Sequence, residues 1–244
     1  MVDKFKIYSE NLKRYVTYNF LENKDSDIYI YFFDGQNLFD IEDSYMDATF
    51  EMKEALVKSG IAANVVGIFA NDDRTNEYTP YIGLDDTAID YFDMDFEYKP
   101  NGIATGKFIV DELIPHVEKD NPSQIRIIGG ASLGGLMSLY MGQAYPETFT
   151  RILAMSSHFN LNIEETARFL SNYNDKSQKV YMDVGTNEYE DNKILSQTYI
   201  DLNKMAAGFL RDMVDVKFMI FEGGIHHEKD WAERMPEALE YLLK

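Results

Sequence analysis

The sequence predicts an α/β protein with a mostly parallel central sheet and helices on both of its faces. Three observations carry this reading. Short runs rich in β-branched and aromatic residues alternate with longer amphipathic stretches, several runs are apolar at nearly every position, and turn-forming residues follow them. A strand that offers water neither face belongs inside a sheet covered on two sides. At 244 residues the chain suits one domain spanning 1–244. No internal repeat, low-complexity segment or Pro/Gly-rich linker divides it.

Residues 5–9 and 15–21 alternate apolar with polar side chains and read as an antiparallel pair at the sheet edge, which makes the expected sheet mixed. Residues 28–33 form a buried strand ending at Asp34-Gly35. A helix over 50–59 leads to a second buried strand, 64–70, which ends at Asn71-Asp72-Asp73. From Asp72 to about Asn101 the chain holds two prolines, six acidic residues within 85–97 and interleaved tyrosines, and reads as a long loop over the active-site end. Strands over 124–129, 151–156, 179–184 and 216–221 then alternate with helices over 103–119, 133–145, 163–173, 193–213 and 228–243.

Acidic residues outnumber basic ones 42 to 23, a formal net charge of −19, and such a field repels phosphate backbones and anionic lipid. Nucleic-acid and membrane partners are therefore not expected, and the acidity reads as a solubility device. No segment approaches the roughly 18 apolar residues of a membrane span, and the N-terminus has no apolar run before a small-residue cleavage site. A soluble, cytoplasmic protein is expected. The absence of cysteine excludes disulfides, thiolate catalysis and cysteine-ligated zinc.

Gly130-Ala131-Ser132-Leu133-Gly134 places a serine between a predicted strand and a predicted helix. Gly-x-Ser-x-Gly in that setting fits a sharp turn that holds a hydroxyl above the sheet, with small neighbours allowing strand and helix to approach and the helix N-terminus directed at the site. Serine is a weak nucleophile near neutral pH, so a histidine must take its proton and a carboxylate must orient that histidine, in the chain order acid and then histidine. Of the four histidines, His226 and His227 follow the last strand, and either could face the serine. The acid is expected in the loop after 179–184, where Glu188 stands, with Asp191 further along; Asp183, inside the strand, reads as structural. His158, after the strand that follows the serine, is a candidate for the pocket, and His116 reads as a surface or packing residue.

These segments resemble the Putative esterase family of α/β-hydrolases, which includes enterochelin esterases, esterase D type S-formylglutathione hydrolases, feruloyl esterase domains and mycolyltransferases. The resemblance rests on five anchors in order: residues 33–40 (FDGQNLFD), 71–80 (NDDRTNEYTP), 130–135 (GASLGG), 183–188 (DVGTNE) and 224–231 (GIHHEKDW). It implies the α/β-hydrolase fold, Ser132 as nucleophile, Glu188 as acid and His226 as base. It also implies the backbone N–H groups of Gln36 and Leu133 as oxyanion donors. His227 replaces the small polar residue usual after the catalytic histidine and joins Arg74 and His158 as a pocket candidate. Arg74 and Glu77, as a pair, could brace their loop or contact substrate, with bracing favoured, and Trp231 is expected to pack the last helix.

The expected activity is that of a serine carboxylesterase acting on small acyl or aromatic acyl esters, with no metal or cofactor required. A siderophore trilactone esterase and an S-formylglutathione-hydrolase-like thioesterase are the alternatives within the enzymes. A non-catalytic binding protein on the same fold is the rival of another class, against which three triad residues argue. A homodimer is the expected oligomeric state.

Overall fold

The structure, a computed structural model, describes residues 2–81, 83 and 97–244. A single eight-stranded sheet runs in the order β1-β2-β4-β3-β5-β6-β7-β8. β1 (Val2–Ser9) and β2 (Arg14–Leu21) pair antiparallel at one edge, and β2 also runs antiparallel to β4 (Asn64–Ile68). β3 (Ile28–Phe33), β5 (Ile125–Ala131), β6 (Arg151–Met155), β7 (Lys179–Gly185) and β8 (Asp215–Phe221) are parallel to one another and to β4. The chain adopts the expected mostly parallel α/β architecture, and the sheet is mixed.

The two faces are filled by alternate residues of the same strands, as a pleat requires. Tyr29, Tyr31 and Phe33 of β3 point to one core, against Leu136 of α5 (Leu133–Ala144) and Ala206 of α7 (Lys193–Leu210). Ile30 and Phe32 point to the other, against Met52 of α1 (Met52–Ser59) and Met235 of α8 (Glu228–Leu243). These positions are essentially inaccessible to water, which is why β3 reads as an unbroken apolar run. Of the expected helix over 103–119, the structure builds α3 (Gly102–Lys107), a π-helical segment (Phe108–Leu113) and α4 (Ile114–Val117). α6 (Ile163–Leu170) begins where the Asn162 side chain accepts the Glu165 N–H, and α7 begins where Asn192 caps Leu195 in the same way.

The expected loop over 72–101 is in part a short helix, α2 (Arg74–Glu77). Residues 82 and 84–96, with most of the acidic run, lie outside the described residues. The ends of the excursion are pinned together by Asn76, whose side chain takes the Lys99 N–H at 2.8 Å and donates to the Glu97 carbonyl at 3.2 Å. Strand order reverses about β3, with β4 on one side and β5 on the other. The carboxyl ends of β3 and β5 therefore flank the crevice where open α/β sheets bind ligands.

Candidate active site

β5 runs through Ala131, so the chain must turn at Ser132 itself. Ser132 sits at φ 58° and ψ −125°, a region that costs a non-glycine residue about 1–3 kcal/mol. The neighbouring strand holds the turn: the Ser132 N–H donates to the Met155 carbonyl at 3.0 Å, and the Ser132 carbonyl accepts from His158 N–H at 3.1 Å. Gly130 allows the turn to close, because a Cβ there would lie 2.7 Å from the Gly134 carbonyl carbon. Leu133 opens α5, and its N–H, in the first turn, has no partner within the helix. Ser132 opens onto a cavity of about 260 Å³ that it shares with Gln36, Arg74, His226, Glu228 and Trp231.

His226 leaves the turn after β8, and its Nδ1 lies 2.6 Å from Glu188 Oε2. Between the two adjacent histidines the geometry therefore distinguishes plainly. His227 has extended backbone and uses its Nδ1 to accept the Lys229 N–H at 3.2 Å, which caps α8. It lines a neighbouring depression with Glu190 and Asp191 and does not line the Ser132 cavity, contrary to its expected place in the pocket. The Glu188 side chain is fully buried, whereas Asp191 is exposed. An ionised carboxylate only accepts, so the 2.6 Å contact assigns the proton to His226 Nδ1 and leaves Nε2 as the basic nitrogen. Tyr199 and Trp231 stand edge-on to the imidazole at 5.4 and 4.9 Å.

The loop after β3 forms the opposite wall. Asp34 takes φ 56° and is held by a two-point ion pair, with Arg74 Nε at 2.6 Å and Nη2 at 2.7 Å from its oxygens. Tyr78 Oη accepts the Asp34 N–H, and the Asn19 side chain donates to the Gly35 carbonyl. The Gln36 side chain turns away to accept the Ala70 N–H at 3.0 Å, and Asn37 donates to Glu228 Oε1 at 2.7 Å. Gly35 is obligatory, because a Cβ there would lie 2.1 Å from the Gly67 carbonyl carbon. Asp34 raises the affinity of Arg74 for its proton against the opposing cost of burial, and burial raises the pKa of Glu228.

Two further expectations need correction. Arg74 and Glu77 do not pair with each other: Arg74 holds Asp34, and Glu77 is held by Arg14 from β2 at 2.5 and 2.7 Å. Their i, i+3 spacing matches a helical pair, but stronger bidentate partners across the fold take both. The His158 imidazole does not line the Ser132 cavity; it is buried, with Nδ1 2.8 Å from Tyr199 Oη, and burial with the nearby His226 and Arg74 charges lowers its pKa to about 3. Its backbone N–H holds the turn at Ser132 instead. Asp183 is paired with Arg234 at 3.3 Å inside the core, where burial raises its pKa to about 7. His116 packs edge-on against Tyr18. Trp231 stacks on Phe50, as packing predicts, and also donates from Nε1 to Ser156 Oγ. Ser156, Asn37 and Glu228 are site residues that sequence reasoning missed. Asn37, next to Gln36, and Glu228, two positions after His226, stood close enough to predicted site residues to be suspected; Ser156 did not.

The Putative esterase family model matches residues 9–242. The chain belongs to that family. The esterase is 27% identical over 228 residues to Uncharacterized protein YbbA of Bacillus subtilis (strain 168), an alignment covering 87% of this chain and 84% of the relative. Its fold resembles an IroE-like serine hydrolase from Shewanella oneidensis, with a TM-score of 0.79, 18% identity and coverage of 98% of this chain and 79% of the other. It also resembles siderophore hydrolase EstA from Aspergillus nidulans, with a TM-score of 0.77, 16% identity and coverage of 100% and 95%. As a member of an esterase family, the enzyme cleaves esters by hydrolysis. Among the described residues no helix is long and apolar enough to cross a membrane.

Proposed function

We propose that the esterase is a serine carboxylesterase in which Ser132 is the nucleophile, His226 the general base and acid, and Glu188 the orienting carboxylate. The observation that carries this is the 2.6 Å contact from His226 Nδ1 to Glu188 beside a strained serine that opens on the same cavity. In the acylation step His226 Nε2 takes the Ser132 hydroxyl proton as Oγ bonds to the ester carbonyl carbon. The imidazolium then returns that proton to the departing alkoxide, which leaves as the alcohol. Water repeats the sequence on the acyl-enzyme, and the acid is released with Ser132 restored. The N–H groups of Gln36 and Leu133 stabilise the oxyanion formed twice on this path, each contributing roughly 3 kcal/mol at the transition state.

A cavity of about 260 Å³ walled by Tyr45, Phe50 and Trp231 suits small acyl or aromatic acyl groups. The second reading is hydrolysis of siderophore esters, supported by the likeness to EstA along nearly the whole length of both chains. A panel of p-nitrophenyl acyl esters, methyl ferulate and a siderophore trilactone, run with wild type and Ser132→Ala, tests both. Turnover that depends on Ser132 supports the mechanism, and the best substrate chooses between the readings. Wild-type rates in Ser132→Ala would end the assignment.

A further inference from the structure

The two oxygens of the Glu188 carboxylate have different partners. Oε2 faces His226 Nδ1, while Oε1 accepts from the Gly185 N–H at 2.5 Å and from the Ser156 hydroxyl at 2.6 Å. Ser156 follows β6 directly, is fully buried, and takes φ 41°, which a residue other than glycine seldom adopts. Its own N–H is fixed on the Asp183 carbonyl at 2.9 Å. A buried serine in such a backbone, aimed at the carboxylate that holds the base, does more than fill space.

The direction of its hydroxyl proton follows from a third group. Trp231 Nε1 lies 2.9 Å from Ser156 Oγ, and an indole N–H only donates. Ser156 Oγ therefore accepts from Trp231, and its single proton goes to Glu188. Donation thus runs one way from Trp231 through Ser156 to Glu188, and from the other side His226 donates to the same carboxylate. The first turn of α8 supplies the indole five positions after the base, so one segment presents His226 and also locks the serine behind its partner.

We propose that Ser156 is a positioning residue of the esterase, holding the Glu188 carboxylate so that His226 keeps its proton on Nδ1, with Trp231 fixing the direction of the Ser156 hydroxyl. This rests on the Ser132–His226–Glu188 reading above. Asp183, compensated by Arg234, approaches Glu188 from β7, and His158 approaches His226 from the loop after β6. Removing the Ser156 hydroxyl takes no hydrogen-bond partner from either group, since Asp183 Oδ1 accepts the Ser156 backbone N–H at 3.3 Å and His158 Nδ1 meets Tyr199 Oη. With one donor fewer, Glu188 becomes a stronger partner for the imidazolium and a less firmly oriented one for the neutral ring.

The test uses the full chain, wild type against Ser156→Ala and Ser156→Gly, on an ester whose hydrolysis has first been found to require Ser132. Activity that survives Ser132→Ala would overturn the underlying triad, separately from any result at Ser156. Both Ser156 variants are expected to lower kcat roughly 10- to 100-fold with KM within about twofold. The acid limb of kcat/KM is expected to move to higher pH, and the low-field proton resonance of the His226–Glu188 bond to weaken. The glycine variant relieves the positive φ but still lacks the hydroxyl, so wild-type kinetics in Ser156→Gly would make the role one of backbone or packing and overturn the proposal. An unchanged acid limb in both variants would do the same. In unmodified enzyme the Trp231 indole hydrogen should exchange slowly with deuterium; rapid exchange would contradict the lock without any variant having to fold.

Discussion

At Glu188 two fixed donors on Oε1 decide what a substitution would do. In Glu188→Gln the amide oxygen is drawn to the side of Gly185 N–H and Ser156, which turns the amide nitrogen toward His226. That nitrogen only donates, so it drives the imidazole proton from Nδ1 to Nε2 and removes the base. The expected result is a fall in kcat of about 10³- to 10⁴-fold with the fold retained, measured by steady-state kinetics and circular dichroism. A near-wild-type kcat would mean that Glu188 does not orient His226. A second prediction concerns stability against pH. His158 is held neutral with a pKa of about 3, whereas an unfolded histidine titrates near 6.5. Between those values the unfolded chain binds the extra proton, so this group costs stability as pH falls below about 6.5. Asp183, raised to about 7, acts in the opposite sense, because below that pH the folded state binds the proton that an unfolded aspartate gives up until about 3.9. The two contributions offset each other across the overlap. His158→Gln removes only the first and should gain stability relative to wild type on acidification, by up to about 2 kcal/mol at pH 5 compared with pH 7.5. Urea midpoints at the two pH values would read this, and a variant-minus-wild-type difference that does not become more favourable to the variant between pH 7.5 and pH 5 would contradict it.

Among the elements, the loop after β3 shows how much structure stands behind one backbone N–H. Asp34, Gly35, Gln36 and Asn37 are each tied to a different partner: Arg74, Asn19, Ala70 and Glu228. Gly35→Ala would force a Cβ into the Gly67 backbone and move the whole loop. The expected outcome is a destabilisation of about 2–4 kcal/mol and a loss of kcat larger than any change in KM, since the Gln36 N–H proposed as an oxyanion donor is displaced. A stable, fully active Gly35→Ala enzyme would remove Gln36 from the site. The strands and long helices were legible because burial on both faces leaves continuous apolar runs in strands and a repeating stripe in helices; β3 and α8 begin and end where the pattern places them. The sharp turn at Ser132 was legible because its glycines answer a local steric demand. What could not be read were partnerships between distant segments: Arg14 with Glu77, Asn37 with Glu228, and Trp231 with Ser156. Each joins residues at least 63 positions apart, and no local pattern records which partner a polar side chain will meet. His158 was misread for the same reason, since its place after β6 was correct while its ring direction depends on Tyr199 from α7.

For the molecule as a whole, a net charge of −19 produces self-repulsion that the folded state must withstand. Several of its ion pairs lie on exposed side chains, such as Lys13 with Glu10 and Lys99 with Glu97, and contribute little that salt could remove. Screening of the net charge should therefore dominate. Raising sodium chloride from about 0.01 M to about 0.5 M, which shortens the screening length from roughly 30 Å to a few ångströms, is expected to raise Tm in a thermal scan. A lower Tm at high salt would mean that attractive pairs outweigh the net repulsion.

The most direct test of the central claim is intact-mass and peptide-mass analysis after treatment with a fluorophosphonate, with residual ester hydrolysis followed in parallel. One adduct on the peptide carrying Ser132, formed in step with the loss of activity and absent from Ser132→Ala, is the predicted result. An adduct on another residue, or hydrolysis that continues once Ser132 is fully modified, would contradict it.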